Sequence, residues 1–338
     1  MKPILKIKNW QLFRVRGYEG SVDLRDQNFV AIGKRAFAGR DNPYLEQIYI
    51  PAGASVIKAE AFLGCKNLQT VILSTANNIG FSAGVFRNCH RLHTVANAEK
   101  IHSIGANCFA NCNTLCEIRL GKELSRIGEG AFEGCQSLTS IALPSSLRSV
   151  GKGAFGECTA LTFCQMDEGL STLGEEMFRG CVSLREIKIP AAVTLIPKRA
   201  FKDCISLREV TIPANVQQIG AGAFENCRKL HTVKMELGVK EIGAHAFDHT
   251  PALREVFVPH SVKKLGRAAF GTGKRKDGEK ITVCVENEYM VRRMKRLLFW
   301  CGSANCTTVK LIGKTVEERK RERRRANVDA KGTHLIGE

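Results

Sequence analysis

Apolar residues recur along this chain in a register that persists for most of its length. Phe stands at Phe37, Phe62, Phe86, Phe109, Phe132, Phe155, Phe178, Phe201, Phe224, Phe247 and Phe270, at intervals of 25, 24 and then 23 residues eight times in succession. Leu follows six residues after each Phe from Phe62 to Phe247, and Leu45 takes that role in the first copy. Three and five residues beyond the Leu lies an alternating apolar pair, as in Ile141/Leu143, Ile187/Ile189, Val210/Ile212 and Val256/Val258. That period of two predicts a short strand with one buried face. Pro51, Pro144, Pro190, Pro213 and Pro259 close their strands, because Pro cannot donate to a ladder. An Ile-Gly step precedes several of the Phe, as at Ile104-Gly105, Ile127-Gly128, Ile219-Gly220 and Ile242-Gly243. Gly there predicts a tight turn into a short helical segment carrying Ala-Phe.

One repeat cannot bury its own apolar face, whereas stacked copies can. Stacking predicts equivalent strands side by side in a parallel sheet at about 4.8 Å, so that ten repeats form a solenoid on the order of 50 Å long. The Phe are expected to form its buried spine. Length alone suggests about two domains, but a period running through nearly the whole chain predicts one elongated body with caps.

At these residues the chain resembles a known family. The stretch Ile212 to Val233, IPANVQQIGAGAFENCRKLHTV, is similar almost position for position to the BspA-like, Treponema-type leucine-rich repeat, and the resemblance covers roughly residues 20 to 285. It implies a curved solenoid with a parallel sheet on its concave face, serving in protein binding, adhesion or host interaction. The expected fold class is therefore an α/β solenoid, a right-handed leucine-rich repeat superhelix with short helical or turn segments on the convex side.

The ends should be atypical, since their outer faces meet water. Residues 1–36 are expected to form an N-terminal cap and first atypical repeat, with Val22 and Leu24 on a strand, and 37–280 the solenoid. Residues 281–313 are expected to form a strand-helix-strand cap, and 314–338 an exposed basic tail. The cap helix, Glu286 to Trp300, is expected to turn Tyr289, Met290, Val291, Met294, Leu297 and Leu298 inward.

A hydrophobic content of 44% in 338 residues excludes a disordered chain. Lys6, Lys8 and Asn9 interrupt the first apolar run before a signal-peptide core forms, and no segment approaches the roughly 18 to 20 apolar residues of a membrane span. A soluble, cytoplasmic protein with reduced thiols is the resulting expectation, without the secretion signal or wall anchor of many family members. Lys and Arg number 51 against 33 Asp and Glu, a net charge of +18. From Pro259 onward 20 basic residues face 9 acidic ones, a net of +11, leaving +7 for the first 258 residues.

Eight of the 14 Cys stand three residues after the anchor Phe: Cys65, Cys89, Cys112, Cys135, Cys158, Cys181, Cys204 and Cys227. They are read as structural, each a small hydrophobe whose thiol can reach a corner carbonyl. Cys108, Cys112 and Cys116 should diverge around one coil, and Cys284, Cys301 and Cys306 lack a nearby fourth ligand, so no metal is expected. His245 and His249 have metal-pair spacing without the Glu of a zincin, and are read as surface residues flanking Phe247. The loop Gly271 to Lys280 fits neither phosphate-binding glycine pattern. No catalytic constellation stands out, so neither enzymatic activity nor a cofactor is expected.

Two rows of strand residues should point outward from the sheet. The binding candidates among them are Tyr49, Ile72, Glu117, Arg119, Phe163, Gln165, Glu186, Lys188, Lys234 and Phe257. The function expected is a non-enzymatic scaffold, acting as a monomer, that binds an unidentified protein or peptide along the concave sheet. The alternative is binding of nucleic acid or an anionic surface through the basic C-terminal region, whose tail carries Arg319, Lys320, Arg321, Arg323, Arg324 and Arg325.

Overall fold

The computed structural model describes residues 4–16, 20–39, 42–271, 280–304 and 307–312. The chain winds into a parallel β-solenoid of roughly twelve coils. A single apolar core runs through it from Leu12 to Cys301.

Each coil is built around its anchor Phe. The Phe rings from Phe37 to Phe270 form an unbroken stack, with neighbouring centroids 4.8 to 5.7 Å apart and planes within 15°. None is more than 2% exposed. The ring spacing follows the strand spacing of a parallel sheet, so one side chain per coil both fills the core and sets the coil-to-coil distance.

The corner that carries the Phe is a chain of turns; among the described residues the α-helix is confined to α1, Glu288–Trp300, and the 3-10 helix to Ala98–Lys100. From Phe62 to Phe247 two residues per corner are left-handed, two before and two after the Phe, as in Gly130 and Gly134 around Phe132 or Arg199 and Asp203 around Phe201. Alternating hands cannot propagate a helix. They aim the N–H groups of Gly130, Phe132 and Gly134 at the carbonyls of Lys152, Ala154 and Gly156 in the next coil, each at 2.8 Å, while Glu133 and Cys135 bond back within their own turn. A helix would have kept those three donors inside one coil and left neighbouring coils unbonded at their tightest point.

Two ladders flank the corner. The first holds the strands read from the period of two, in three blocks: a four-stranded sheet from Gly20–Asp23 to Thr94–Ala96, a pair Ser140–Ala142 and Phe163–Gln165, and a six-stranded sheet from Glu186–Lys188 to Thr307–Leu311. The second ladder consists mostly of two-residue strands at the Ile-Gly step, such as Gln218–Ile219 and Glu241–Ile242. The glycine after the Ile serves packing between coils: a Cβ on Gly243 would lie 2.6 Å from the Ala221 nitrogen, and one on Gly128 2.5 Å from that of Ala106.

At the N-terminal end Ile4–Lys8 and Gln11–Arg16 form an antiparallel hairpin, turning at Asn9 and Trp10 with positive φ, and its second strand joins the second ladder at Ala31–Ile32. At the other end Ile281–Val285 and Thr307–Leu311 extend the first ladder in parallel, with α1 between them in sequence. Asn287 caps α1 by accepting from the Met290 N–H at 2.9 Å. Met290, Met294 and Leu298 form the buried stripe of α1. Tyr289, expected inward, is 71% exposed, because the Met290 stripe at i, i+4, i+8 takes the core-facing side and leaves position 289 one step around the wheel.

Candidate functional site: the outward strand face

The corner thiols are structural in each of the eight coils that carry one. All eight are buried, and each Sγ donates to the carbonyl of the preceding coil's anchor Phe, from Cys65 to Phe37 at 2.9 Å through Cys158 to Phe132 at 3.2 Å to Cys227 to Phe201 at 3.1 Å. From Phe62 on, the same carbonyl accepts the Cys N–H of its own coil, as Cys135 N–H does at Phe132, 3.1 Å. Both lone pairs of a dry carbonyl are thereby used. Burial pushes the thiols of Cys112, Cys135, Cys158, Cys181, Cys204 and Cys227 far up, since a thiolate there would lose its solvation. A thiol that stays protonated is neither a nucleophile nor a metal ligand.

The remaining titratable candidates do not converge. Cys108 is buried whereas Cys116 is exposed, and no group of three or more potential metal-ligating His, Cys, Asp or Glu occurs among the described residues. His245 and His249 both turn to the Asp248 carboxylate, at 3.0 and 3.3 Å. Burial, and then a hydrogen bond to Glu255 at 2.6 Å, push Cys284 up to about 11. Cys306, the loop residues 272–279 and the tail residues Arg319, Lys320, Arg321, Arg323, Arg324 and Arg325 lie outside the described residues.

The outward candidates fall into the blocks of the first ladder. In the first block Tyr49 stands beside Ile72 in register, both half-buried; Tyr49 accepts from Gln47 at 3.0 Å and lies under the Arg25 guanidinium, 4.6 Å from its ring centre. In the second, Phe163 is 44% exposed and Gln165 is exposed. In the third, Glu186 lies directly beside Glu209, Lys188 beside Thr211, and Lys234 and Phe257 follow on the next strands. Lys188 reaches Glu168 of the neighbouring coil, and that hydrogen bond holds the Glu168 carboxyl below its ordinary range. The inward residue at the centre of these strands is apolar or a buried Cys throughout, whereas the outward residues differ in charge, size and polarity.

Glu117 and Arg119 are placed differently. They pair with each other at 2.7 Å, both strongly exposed, but their segment is not a strand and bonds to neither neighbour as the others do. The cause lies one coil earlier. Asn97 takes the slot of the second buried strand residue, adopts a φ of 60° and donates to the Leu73 carbonyl, and Ala98–Lys100 coils away as a 3-10 turn. The ladder therefore parts between Thr94–Ala96 and residues 117–119, leaving a cleft of about 610 Å³ whose walls include His93, Thr94, Asn97, Cys116, Glu117 and Arg119. The Phe stack and the second ladder stay joined across it.

Residues 30–162, 80–208 and 149–275 match the family model described as BspA type leucine rich repeat region (6 copies), together spanning well over half of the chain. Curated proteins yield no significant match. Among solved structures, a leucine-rich repeat protein from Bacteroides ovatus aligns over 92% of this chain and 98% of its own at 20% identity, with a TM-score of 0.54. A leucine rich cell surface protein from Faecalibacterium prausnitzii covers 93% and 96% at 17% identity, TM-score 0.46. The T. pallidum leucine rich repeat protein covers 54% and 77% at 23% identity, TM-score 0.41. The first of these supports the solenoid fold.

Proposed function

The chain belongs to the BspA-type leucine-rich repeat family, and from that premise we propose that it is a non-enzymatic scaffold binding a protein or peptide along the outward face of its first ladder. The observation that carries this reading is the contrast within each strand: the buried positions are interchangeable from coil to coil, while the exposed ones change in charge, size and polarity. A large apolar ring set outward on a strand, Phe163, supplies a candidate anchor. Glu186, Glu209, Lys188 and Lys234 supply the charge pattern that selects a partner. The described cysteines are all free thiols, which suits a reducing compartment such as the cytoplasm.

The test compares the wild-type protein with the triple variant Phe163→Ala, Glu186→Lys, Glu209→Lys as affinity bait in extracts of the native cell. A partner held by the wild type and lost by the variant, at equal melting temperature, supports the reading. A partner set unchanged by the variant overturns it.

A further inference from the structure

The outer side of α1 carries an arrangement that its packing does not use. With Met290, Met294 and Leu298 seated in the core, the helix has its apolar anchor. It nevertheless exposes Tyr289, Phe299 and Trp300 by 71%, 69% and 79%. Tyr289, Arg293, Arg296 and Trp300 follow one another at steps of four, three and four residues, which places them in one stripe. At 1.5 Å per residue the two end rings lie about 16 Å apart along the axis, with two guanidiniums between. Arg292 and Phe299 border the same stripe. Arg292, Arg293, Lys295 and Arg296 have no carboxylate partner among the described residues, and Glu288 is the one acid on the helix. The Phe299 and Trp300 rings meet edge to face at 82°, a contact that leaves ring faces open.

We propose that this stripe binds single-stranded nucleic acid, the Arg contacting phosphates and the exposed rings stacking on bases. Charge complementarity calls for a polyanion. The make-up of the stripe selects among polyanions: a chain that carries both phosphates and flat aromatic faces matches a stripe that sets two guanidiniums between two exposed rings. A bilayer fits less well, because sinking Tyr289 and Trp300 below the headgroups would carry Arg293 and Arg296 down with them.

Trp300 reports on the site directly, since the chain has two Trp and Trp10→Phe removes the other. In full-length Trp10→Phe protein, a mixed-sequence 20-nucleotide RNA should quench Trp300 fluorescence, with an affinity that falls steeply with salt. Loss of one stacked base in Trp300→Ala should weaken binding about 5- to 150-fold in an anisotropy titration, and Arg292→Ala/Arg296→Ala should flatten the salt dependence. Both sites are solvent-exposed, and unchanged circular-dichroism melts confirm that the variants fold. RNA bound at wild-type affinity by both variants, or bound without quenching, overturns the proposal. Trp300 emission that responds to phosphatidylserine vesicles and not to RNA overturns it in favour of a membrane surface.

Discussion

The corner and the strand face of this solenoid are made by the same repeats yet obey different constraints. The Phe stack is continuous from Phe37 to Phe270, whereas the first ladder divides into blocks and parts altogether at residues 117–119. The Phe rings and thiols of the corner are buried, so the donors and acceptors beside them need protein partners. Strand backbones next to solvent can lose a ladder bond to water at little cost. Spacing and order therefore reside in the corner, and the strand face is left to vary.

Alkaline pH should break the corner most severely. A buried thiol whose pKa is raised on folding contributes stability that is fully present below the unfolded value of about 8.5 and is lost as pH climbs toward the folded one. At pH 10 each should cost about 2 kcal/mol, and the six named thiols together rival the 5 to 15 kcal/mol of an ordinary fold. Urea melts at pH 8 and pH 10 should differ by most of the protein's stability; equal midpoints would show the corner to be wet. Phe155→Ala removes one plate from the stack and should cost about 3 to 5 kcal/mol, read as a lowered thermal midpoint. Gly243→Ala pushes a methyl against the Ala221 backbone and should cost about 1 to 3 kcal/mol, tested by the same melts. On the strand face, Glu209→Gln relieves its alignment beside Glu186 and should stabilise by about 0.2 to 1 kcal/mol. A loss as large as that of Phe155→Ala would erase the distinction between the two regions.

The strands of the first ladder and the Phe spine were legible because one side chain per coil repeats and strand periodicity needs only three residues to show. The thiol corner was legible because Cys follows Phe at a fixed step. Other features were hidden. Two-residue strands such as Glu241–Ile242 are too short to display a period, so the Ile-Gly step read as a turn and the second ladder went unseen. Glu117 and Arg119 stand in the same sequence slots as Glu186 and Lys188, yet one left-handed residue, Asn97, takes their strand out of the ladder. In α1 the Met stripe and Tyr289 are adjacent on the wheel, and only contact with the core shows which side faces in.

The sequence by itself determined the coil: its length, its Phe, Cys and Leu slots, and the direction in which it stacks its strands. Those follow from local spacing and from the need of each repeat to bury one face against another. Tertiary structure alone decided the alternating hand of the corner, the close approach that demands glycine, the parting of the ladder and the outward set of Tyr289, Phe299 and Trp300. Each depends on what the neighbouring coil presents, and a repeat read alone contains no neighbour.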